Sequence, residues 1–556
     1  MLNSIKFRLQ RYPFVHSVYH MGKFWFSRAY RQRSRKIKSL VNNIRSLDNN
    51  FTAMPLGAGK KGTAVIFGWS HFDYIFSETT IRKSIELAGF NLVIIGEPTY
   101  EARYTYEVFG IRKVVSFSEF QPLPDMAEAL AITNRLADST ALLDYKFDGV
   151  AVGKFVSATY MRKTRQGNID LNSDGARTKI AEGISRSIAA VRGAKELIRQ
   201  LGPSLFVMVD HGYTPCGEVF DVCVDDGIDI MTWNVAHRNN TLMLKRYSQT
   251  NRMTHPSSLS ASSWRKLKDI KWSKERRFEV EKELTNCYNA GEWYSEVGTQ
   301  FGKRLLERVE VLRSLSLDES KKTAVIYSHI FWDATFFWGD DLFDNYEEWF
   351  LETVSAACRN DRVNWLIKIH PANIVKDKRD GRIGKSSEIL ALERSIKKLP
   401  SHVQVILPET ITSTWSLLSA TDYCLTVRGT VGIEAALLGK VVLTAGTGRY
   451  DRHGFTHDYD NRQSYLEALG SIDTLGLPGE NSQELASRFA SGVFLHRPIR
   501  TDSFQMSYDQ DEFATLRTKL GVGTFKELKE ARDISTIARW LNSNQEDLLQ
   551  VNRSLK

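Results

Sequence analysis

The sequence predicts an α/β protein with two doubly wound parallel sheets, flanked by a helical N-terminal arm and a helical C-terminal tail. Two observations carry this reading. Apolar runs of strand length alternate with helical patterns over 63–235 and again over 323–445, and such alternation builds parallel βαβ units. The length, 556 residues, exceeds what one ordinary core accommodates. The expected division is an arm over 1–50, a first domain over 60–310 with a helical insertion, a second over 320–500, and a tail over 501–556.

The arm stands out by charge. Eleven basic residues precede Asp48, the first acidic one; without them the 75 in the chain fall to 64 against 65 acidic residues. The body is therefore near neutral. Phe7, Tyr12, Phe14, Tyr19, Phe24, Trp25 and Phe26 interleave with the arm's charges, a mixture that suits an anionic membrane surface. The competing readings are a helix packed on the protein and nucleic-acid binding. The second lacks a basic groove in the body to continue it, so no nucleic-acid partner is expected. No 18-residue apolar run is present, and no secretory leader pattern is read at the start. Cys216, Cys223, Cys287, Cys358 and Cys424 show no paired or metal-type spacing. A reduced, cytoplasmic protein is expected, peripheral on the inner face of the membrane.

Along the first domain, strands are expected at 63–69, 91–96, 113–117, 205–209 and 228–235. A long helix over 177–199 has Ile180, Ile184, Ile188, Val191 and Ile198 at helical spacing. Ligand-binding residues of open α/β sheets collect at the carboxyl ends of strands. That rule singles out Ser70, His71 and Asp73, then Asp210, His211 and Glu218; the bland reading of Asp210 is a turn or capping residue. A connector follows over 245–283, then a helix around 294–314. Second-domain strands are expected at 323–327, 365–369, 403–407, 423–427 and 441–445, with helices at 346–358, 388–399, 413–420 and 431–438. The tail is read as helical over 511–520 and 525–541.

Chemistry concentrates in the second domain. Arg428-Gly429-Thr430 joins a strand to a short helix, the geometry that aims helix N-terminal N–H groups at a phosphate. Gly432 and Glu434 lie in the first turns, and Arg449 follows the next strand. The alternative is that Gly429 and Gly432 serve only packing and that Glu434 is solvated. His370 ends a strand before Pro371, and Ser328-His329 end another; imidazoles on this edge can donate to phosphate oxygens. Asp333, Asp340 and Asp341 follow in an aromatic loop, and Thr412, Ser413 and Thr414 open a helix. Asp458-Tyr459-Asp460 is formally a DxD, read as solvated loop carboxylates. HExxH, Walker A, GxGxxG after the first strand and GxSxG are all missing. No metal site is expected.

Taken together, His370-Pro371, the run from Arg428 to Ala435 and Gly446-Thr447-Gly448-Arg449-Tyr450 resemble bacterial capsular-polysaccharide glycosyltransferases, in the branch that includes the Kdo transferases. Asp210-His211-Gly212, leading to Asn234-Val235, is similar to the acceptor-side domain of the same proteins. The resemblance covers 205–235 and 323–455. It implies a GT-B architecture, two facing Rossmann-like domains with the nucleotide donor in the second and the acceptor in the first, and no catalytic metal. By this resemblance His370 contacts the donor phosphate and Glu434 the ribose. Gly429, Thr430 and Gly432 form the phosphate turn, Arg449 neutralises the leaving group, and Ser328, His329 and Arg428 line the donor site. Asp210 is the first choice of base, with Glu218 and Asp73 behind it.

The expected function is transfer of a sugar from a CMP- or UDP-linked donor to a surface-polysaccharide or lipid-linked acceptor at the membrane face. The nucleotide sugar is a co-substrate and no further cofactor is expected. The partners are the nucleotide sugar, a glycan or glycolipid acceptor, and an anionic membrane surface through residues 1–47. Three rivals stand beside it: a CDP-linked polyol-phosphate transferase of the teichoic-acid type using His329 and His370, a sugar-nucleotide epimerase, and a non-catalytic membrane-docked assembly protein.

Overall fold

The computed structural model describes residues 28–551, apart from 49, 50, 58, 296, 334, 380, 382, 383 and 510–515. Most of the basic aromatic arm therefore lies outside the described residues. Its described part, the helix Arg28–Asp48, buries Ile37, Val41 and Ile44 in a core shared with Phe72, Phe76, Phe504 and Leu528. Arg35, Lys36 and Lys38 on the same helix are exposed. Among the described residues no helix is long and apolar enough to cross a membrane.

The first sheet contains β1 (Thr63–Phe67), β2 (Asn91–Ile95), β3 (Val114–Val115), β4 (Pro203–Met208), β5 (Ile230–Val235) and β6 (Thr241–Tyr247). The second contains β7 (Thr323–Tyr327), β8 (Asn364–Lys368), β9 (Val403–Ile406), β10 (Tyr423–Thr426), β11 (Val441–Thr444) and β12 (His457–Asp458). A further strand, β13 (Ile499–Arg500), follows the second sheet in sequence yet pairs antiparallel with β6 of the first. The first sheet runs β13-β6-β5-β4-β1-β2-β3, and the second β12-β11-β10-β7-β8-β9. Counted from its own first strand, the second has the order 6-5-4-1-2-3. The first begins 3-2-1-4-5 and then adds two antiparallel strands. Each order reverses beside its first strand, which is the switch point where such sheets bind ligands.

Alternation along the strands buries both faces of each sheet. Val65 and Phe67 enter one core and Ala64 and Ile66 another; Val325 and Tyr327 enter a third, Ala324 and Ile326 a fourth. The insertion between β3 and β4 is helical, and its longest member is Ala176–Leu201. The stretch expected as a loose connector is structured. It supplies β6 and the helices Ala261–Lys268 and Lys274–Asn289, whose Leu267, Val280 and Leu284 enter the same core as Val325 and Ile433. The expected helix at 294–314 shortens to Arg308–Ser314.

The tail returns to the first domain, and its expected all-helical character needs correction. β14 (Phe504–Tyr508) and β15 (Leu516–Leu520) form an antiparallel pair. Leu516, Thr518 and Leu520 are half-buried while Arg517 and Lys519 are exposed, a period of two that suits a strand. Beyond it, the helix Arg532–Leu541 packs on the helix Phe72–Ala88. A buried ion cluster fixes this return: Lys245 Nζ lies 3.0 Å and Arg497 Nη2 3.5 Å from Asp547 Oδ1. Burial pushes that carboxyl up, but the two cations overcome it and hold it below the usual carboxylate range.

Candidate active site

The loops after β4 and β7, which leave the carboxyl ends of strands in the two sheets, meet each other. Tyr213 donates its hydroxyl to Asp333 Oδ1 at 2.7 Å. Arg162 reaches the same oxygen at 3.5 Å and lies over the Tyr213 ring at 4.4 Å. Lys376 pairs with the other carboxylate oxygen. Burial raises the Asp333 carboxyl, yet Lys376 and Arg162 outweigh it and hold the group ionised. Asp333 thus ties the helix Val152–Thr164 of the first domain to the helix Ala372–Arg379 of the second. The sequence flagged Asp333 but not Arg162, Tyr213 or Lys376.

Asp210 follows β4 at this edge, half-buried, and accepts the Gly212 N–H at 3.0 Å. Burial raises its pKa and Asp333 adds to that, while Gly212 and the Arg162 cation oppose it. Gly212 is required by contact: a Cβ there would sit 1.8 Å from Phe337 of the aromatic loop. Next to it, His211 is buried between Phe220, 4.0 Å away, and Trp338, 4.7 Å away. Phe337 and Trp338 of the second domain are therefore seated on the first.

Glu218 is corrected as a candidate base. It is fully buried, accepts from Ser187 and from Thr214 Oγ1, and burial raises its pKa to about 7. A carboxyl enclosed in the helix layer cannot meet an acceptor hydroxyl. Its contact with Thr214 instead supports the loop that carries Asp210. Asp73 sits in the first turn of the helix Phe72–Ala88, after β1.

In the second domain, the turn after β10 is laced from several directions. Thr426 Oγ1 accepts the Gly429 N–H at 3.0 Å and lies 3.1 Å from His329 Nε2. That nitrogen also accepts the Val427 N–H at 3.2 Å, so the neutral ring of His329 carries its proton on Nδ1. Gly429 is the N-cap of the helix Thr430–Leu437 and has no side chain to bond the first N–H groups. Tyr450 donates to Gly429 O at 2.8 Å. Gly432 is needed for that approach, since a Cβ would lie 2.1 Å from the Tyr450 hydroxyl oxygen; its direct work is packing, not phosphate contact.

Arg449 is 8% exposed. It donates to Ser257 Oγ at 2.9 Å, Arg428 O at 3.1 Å and Thr430 Oγ1 at 2.8 Å. Every one of these partners is neutral, and among the described residues no ion pair to Arg449 is found. Burial pulls its pKa down. The result is a buried guanidinium without an ion pair on the turn that opens a helix, with the Glu434 carboxyl the acidic group that supports its charge.

Arg428 differs. Its guanidinium pairs with Asp341, donates to Tyr346 Oη at 3.1 Å and to Thr447 O at 2.9 Å, and is 3% exposed. Its charge is neutralised internally, so the expected donor contact becomes a brace for the aromatic loop. Glu434 needs a similar correction. It is 2% exposed, accepts the Tyr288 hydroxyl at 2.5 Å, and burial raises its pKa to about 7. It is directed into the interior, where Tyr288 stacks on Trp293 and Trp415, rather than open to a ribose.

His370 donates its backbone N–H to Ser328 Oγ at 3.0 Å, and its Nδ1 accepts the Ala372 N–H at 3.2 Å. Burial, with Lys376 and Lys368 nearby, lowers its pKa to about 4. The ring is neutral at physiological pH and presents Nε2–H as a donor. Asp458, of the formal DxD, accepts from Thr444 and Thr456 at 2.7 and 2.8 Å, and Asp460 pairs with Arg452.

Two sheets of Rossmann-type order, joined through the loops at their carboxyl edges, make this a two-domain Rossmann-like α/β protein of the GT-B kind. No family model matches the chain, and no curated protein matches it. Among solved structures it is similar to KpsC β-Kdo 2,4 transferase of Thermosulfurimonas dismutans, with 15% identity over 59% of this chain and 88% of that one, at a TM-score of 0.33. The β-Kdo 2,7 transferase of the same organism gives 14% identity, 63% and 89% coverage, and the same score. A Methanocaldococcus jannaschii UDP-GlcNAc 2-epimerase with UDP-GlcNAc and UDP gives 12% identity, 77% and 98% coverage, and 0.26.

Proposed function

We propose that this chain is a glycosyltransferase that takes a CMP- or UDP-linked sugar and adds it to a surface-polysaccharide or lipid-linked acceptor. The observation that carries this reading is the buried Arg449, without an ion pair among the described residues, laced onto the N-terminus of the helix Thr430–Leu437. It lies at the switch point of one sheet, while Asp210 stands at the facing edge of the other. A cation without an ion pair and helix N–H groups attract an anionic ligand, and a nucleotide phosphate has that charge.

The chemistry follows from these placements. Asp210 accepts the proton of an acceptor hydroxyl as its oxygen bonds to the anomeric carbon. The bond from that carbon to the phosphate oxygen breaks, and the charge gathers on the departing nucleotide. Arg449, the Thr430 turn and the Nε2–H of His370 stabilise that charge. With Nε2 of His329 occupied by Val427 and Thr426, the paired-histidine chemistry of a polyol-phosphate transferase gains no support from the geometry. Residues 1–47 carry the chain to the cytoplasmic face of the membrane, where such acceptors are held, and the exposed Arg35, Lys36 and Lys38 continue that basic surface.

The test is thermal shift with CMP, CDP, UDP and GDP, followed by nucleotide release with and without acceptor. One of CMP or UDP should stabilise the wild type, and His370→Ala should weaken that shift. Release should require acceptor. A selective CDP shift would favour the polyol-phosphate reading, release without acceptor the epimerase, and no shift with any of the four would sink the enzyme reading.

A further inference from the structure

Away from the loops that carry Asp210 and Arg449, three side chains of different chemistry converge on one point. His237 follows β5, while Glu283 and Cys287 lie one turn apart on the helix Lys274–Asn289. His237 Nε2 is 3.0 Å and Cys287 Sγ 3.6 Å from the same oxygen, Glu283 Oε1, and the three ligand atoms lie within 4.8 Å of one another. His237 is 1% exposed and Cys287 0%. Spacing i, i+4 on a helix puts two ligands on one face, and the third arrives from the sheet.

We propose that His237, Glu283 and Cys287 bind a zinc-type divalent cation, with water as the fourth ligand. Ligand bonds of standard length at tetrahedral angles put a nitrogen and an oxygen about 3.3 Å apart, and a sulfur and an oxygen about 3.6 Å apart. The observed separations already approach both values. Imidazole, carboxylate and thiolate together form a donor set that zinc accepts.

The surroundings orient the carboxylate. Arg238 Nη1 holds the other oxygen of Glu283 at 3.2 Å, and its Nε reaches Glu292 at 3.2 Å, which leaves Oε1 aimed at the imidazole and the thiol. Such support of a ligating carboxylate is the usual outer shell of a metal site. Two glutamates against one arginine give the cluster one net negative charge. A divalent cation that displaces the thiol proton brings it to neutral.

The site joins two elements of the fold. It fastens the exit of β5 to the helix whose next residue, Tyr288, donates to Glu434. It does not depend on the glycosyltransferase reading, since metal content is measured without turnover.

The experiment loads the full chain with Zn(II), dialyses away the excess and measures bound metal by plasma mass spectrometry. Wild type should hold about one zinc per chain, and Cys287→Ser and His237→Asn should each lower zinc affinity by about tenfold or more. Co(II) loaded in place of zinc should give a thiolate-to-cobalt charge-transfer band in the wild type, so the test survives poor folding of either variant. Wild type without zinc above background, equal zinc affinity in all three proteins, or cobalt spectra without the thiolate band would each overturn the proposal.

Discussion

Replacing Arg449 by Met separates a binding role from a structural one, because the two predict opposite balances of affinity and stability. The guanidinium makes three charge-assisted hydrogen bonds to neutral groups, each contributing about 1.5–3 kcal/mol. Against this stands the cost of burying a cation that makes no ion pair, several kcal/mol after relaxation and offset in part by the Glu434 carboxyl. Methionine fills a similar volume and removes both terms, so the unliganded protein should melt within a few degrees of wild type. Binding should respond differently. A hydrogen bond to a charged group contributes about 1.5–3 kcal/mol, which is about ten- to 150-fold in Kd. Isothermal titration with the nucleotide that stabilises the wild type, alongside unliganded melting curves, measures both quantities. A large fall in melting temperature with Kd unchanged would refute the reasoning and make Arg449 a brace of the turn.

Three further predictions concern the carboxyls. Asp210→Asn should lower kcat by about 10²–10⁴-fold while leaving nucleotide affinity intact. Because burial raises the Asp210 pKa, the wild-type rate should fall on the acid side at a pH above the ordinary aspartate range, and a rate flat to pH 4 would contradict its role as base. Glu218, with a folded pKa of about 7, is favoured by the fold in its neutral form. Its contribution is therefore complete below the unfolded pKa and declines as pH rises toward 7. Glu218→Gln should accordingly melt above wild type at pH 8 and converge with it at pH 5; the reverse order in the two melts would exclude the neutral carboxyl. Asp547→Ala leaves Arg497 buried without its ionic partner and Lys245 with Glu546 alone, a loss of about 3–5 kcal/mol to be read by denaturant unfolding. Since the folded pKa of Asp547 is depressed, its contribution is present above the unfolded value and disappears as pH falls through the folded one. The variant should therefore lack that part of the wild-type acid transition.

The strand–helix alternation was readable because each segment carries its own period. The helix Tyr346–Cys358 has the expected bounds, and the expected 431–438 became Thr430–Leu437. β6 was missed because Thr241-Leu-Met-Leu-Lys-Arg-Tyr247 alternates only in part and its charged Lys245 is buried by a partner, Asp547, 302 positions away. The same distance problem limits the site. The residues at strand ends, Asp210, His370 and Thr430, follow from topology. Whether an arginine meets a ligand or an internal carboxylate depends on contacts such as Arg428 to Asp341, which no local pattern encodes. Glu434 was assigned a ligand because its helix opens the phosphate turn; Tyr288, 146 positions earlier, takes the carboxyl instead.

The return of the tail to the first sheet has a consequence for synthesis. A chain emerging from the ribosome completes β7 to β12, and hence the second sheet, while β6 still lacks its neighbour β13 and Lys245 its counter-ion. The domain made first is thus finished last, with an open strand edge and a solvated lysine during the interval. Exposed edges of that kind template pairing with other chains. Truncations that remove residues after 498 should leave a second domain that folds and a first domain that aggregates. Slow translation of the codons after position 498 would lengthen the period in which the nascent first domain needs chaperone cover.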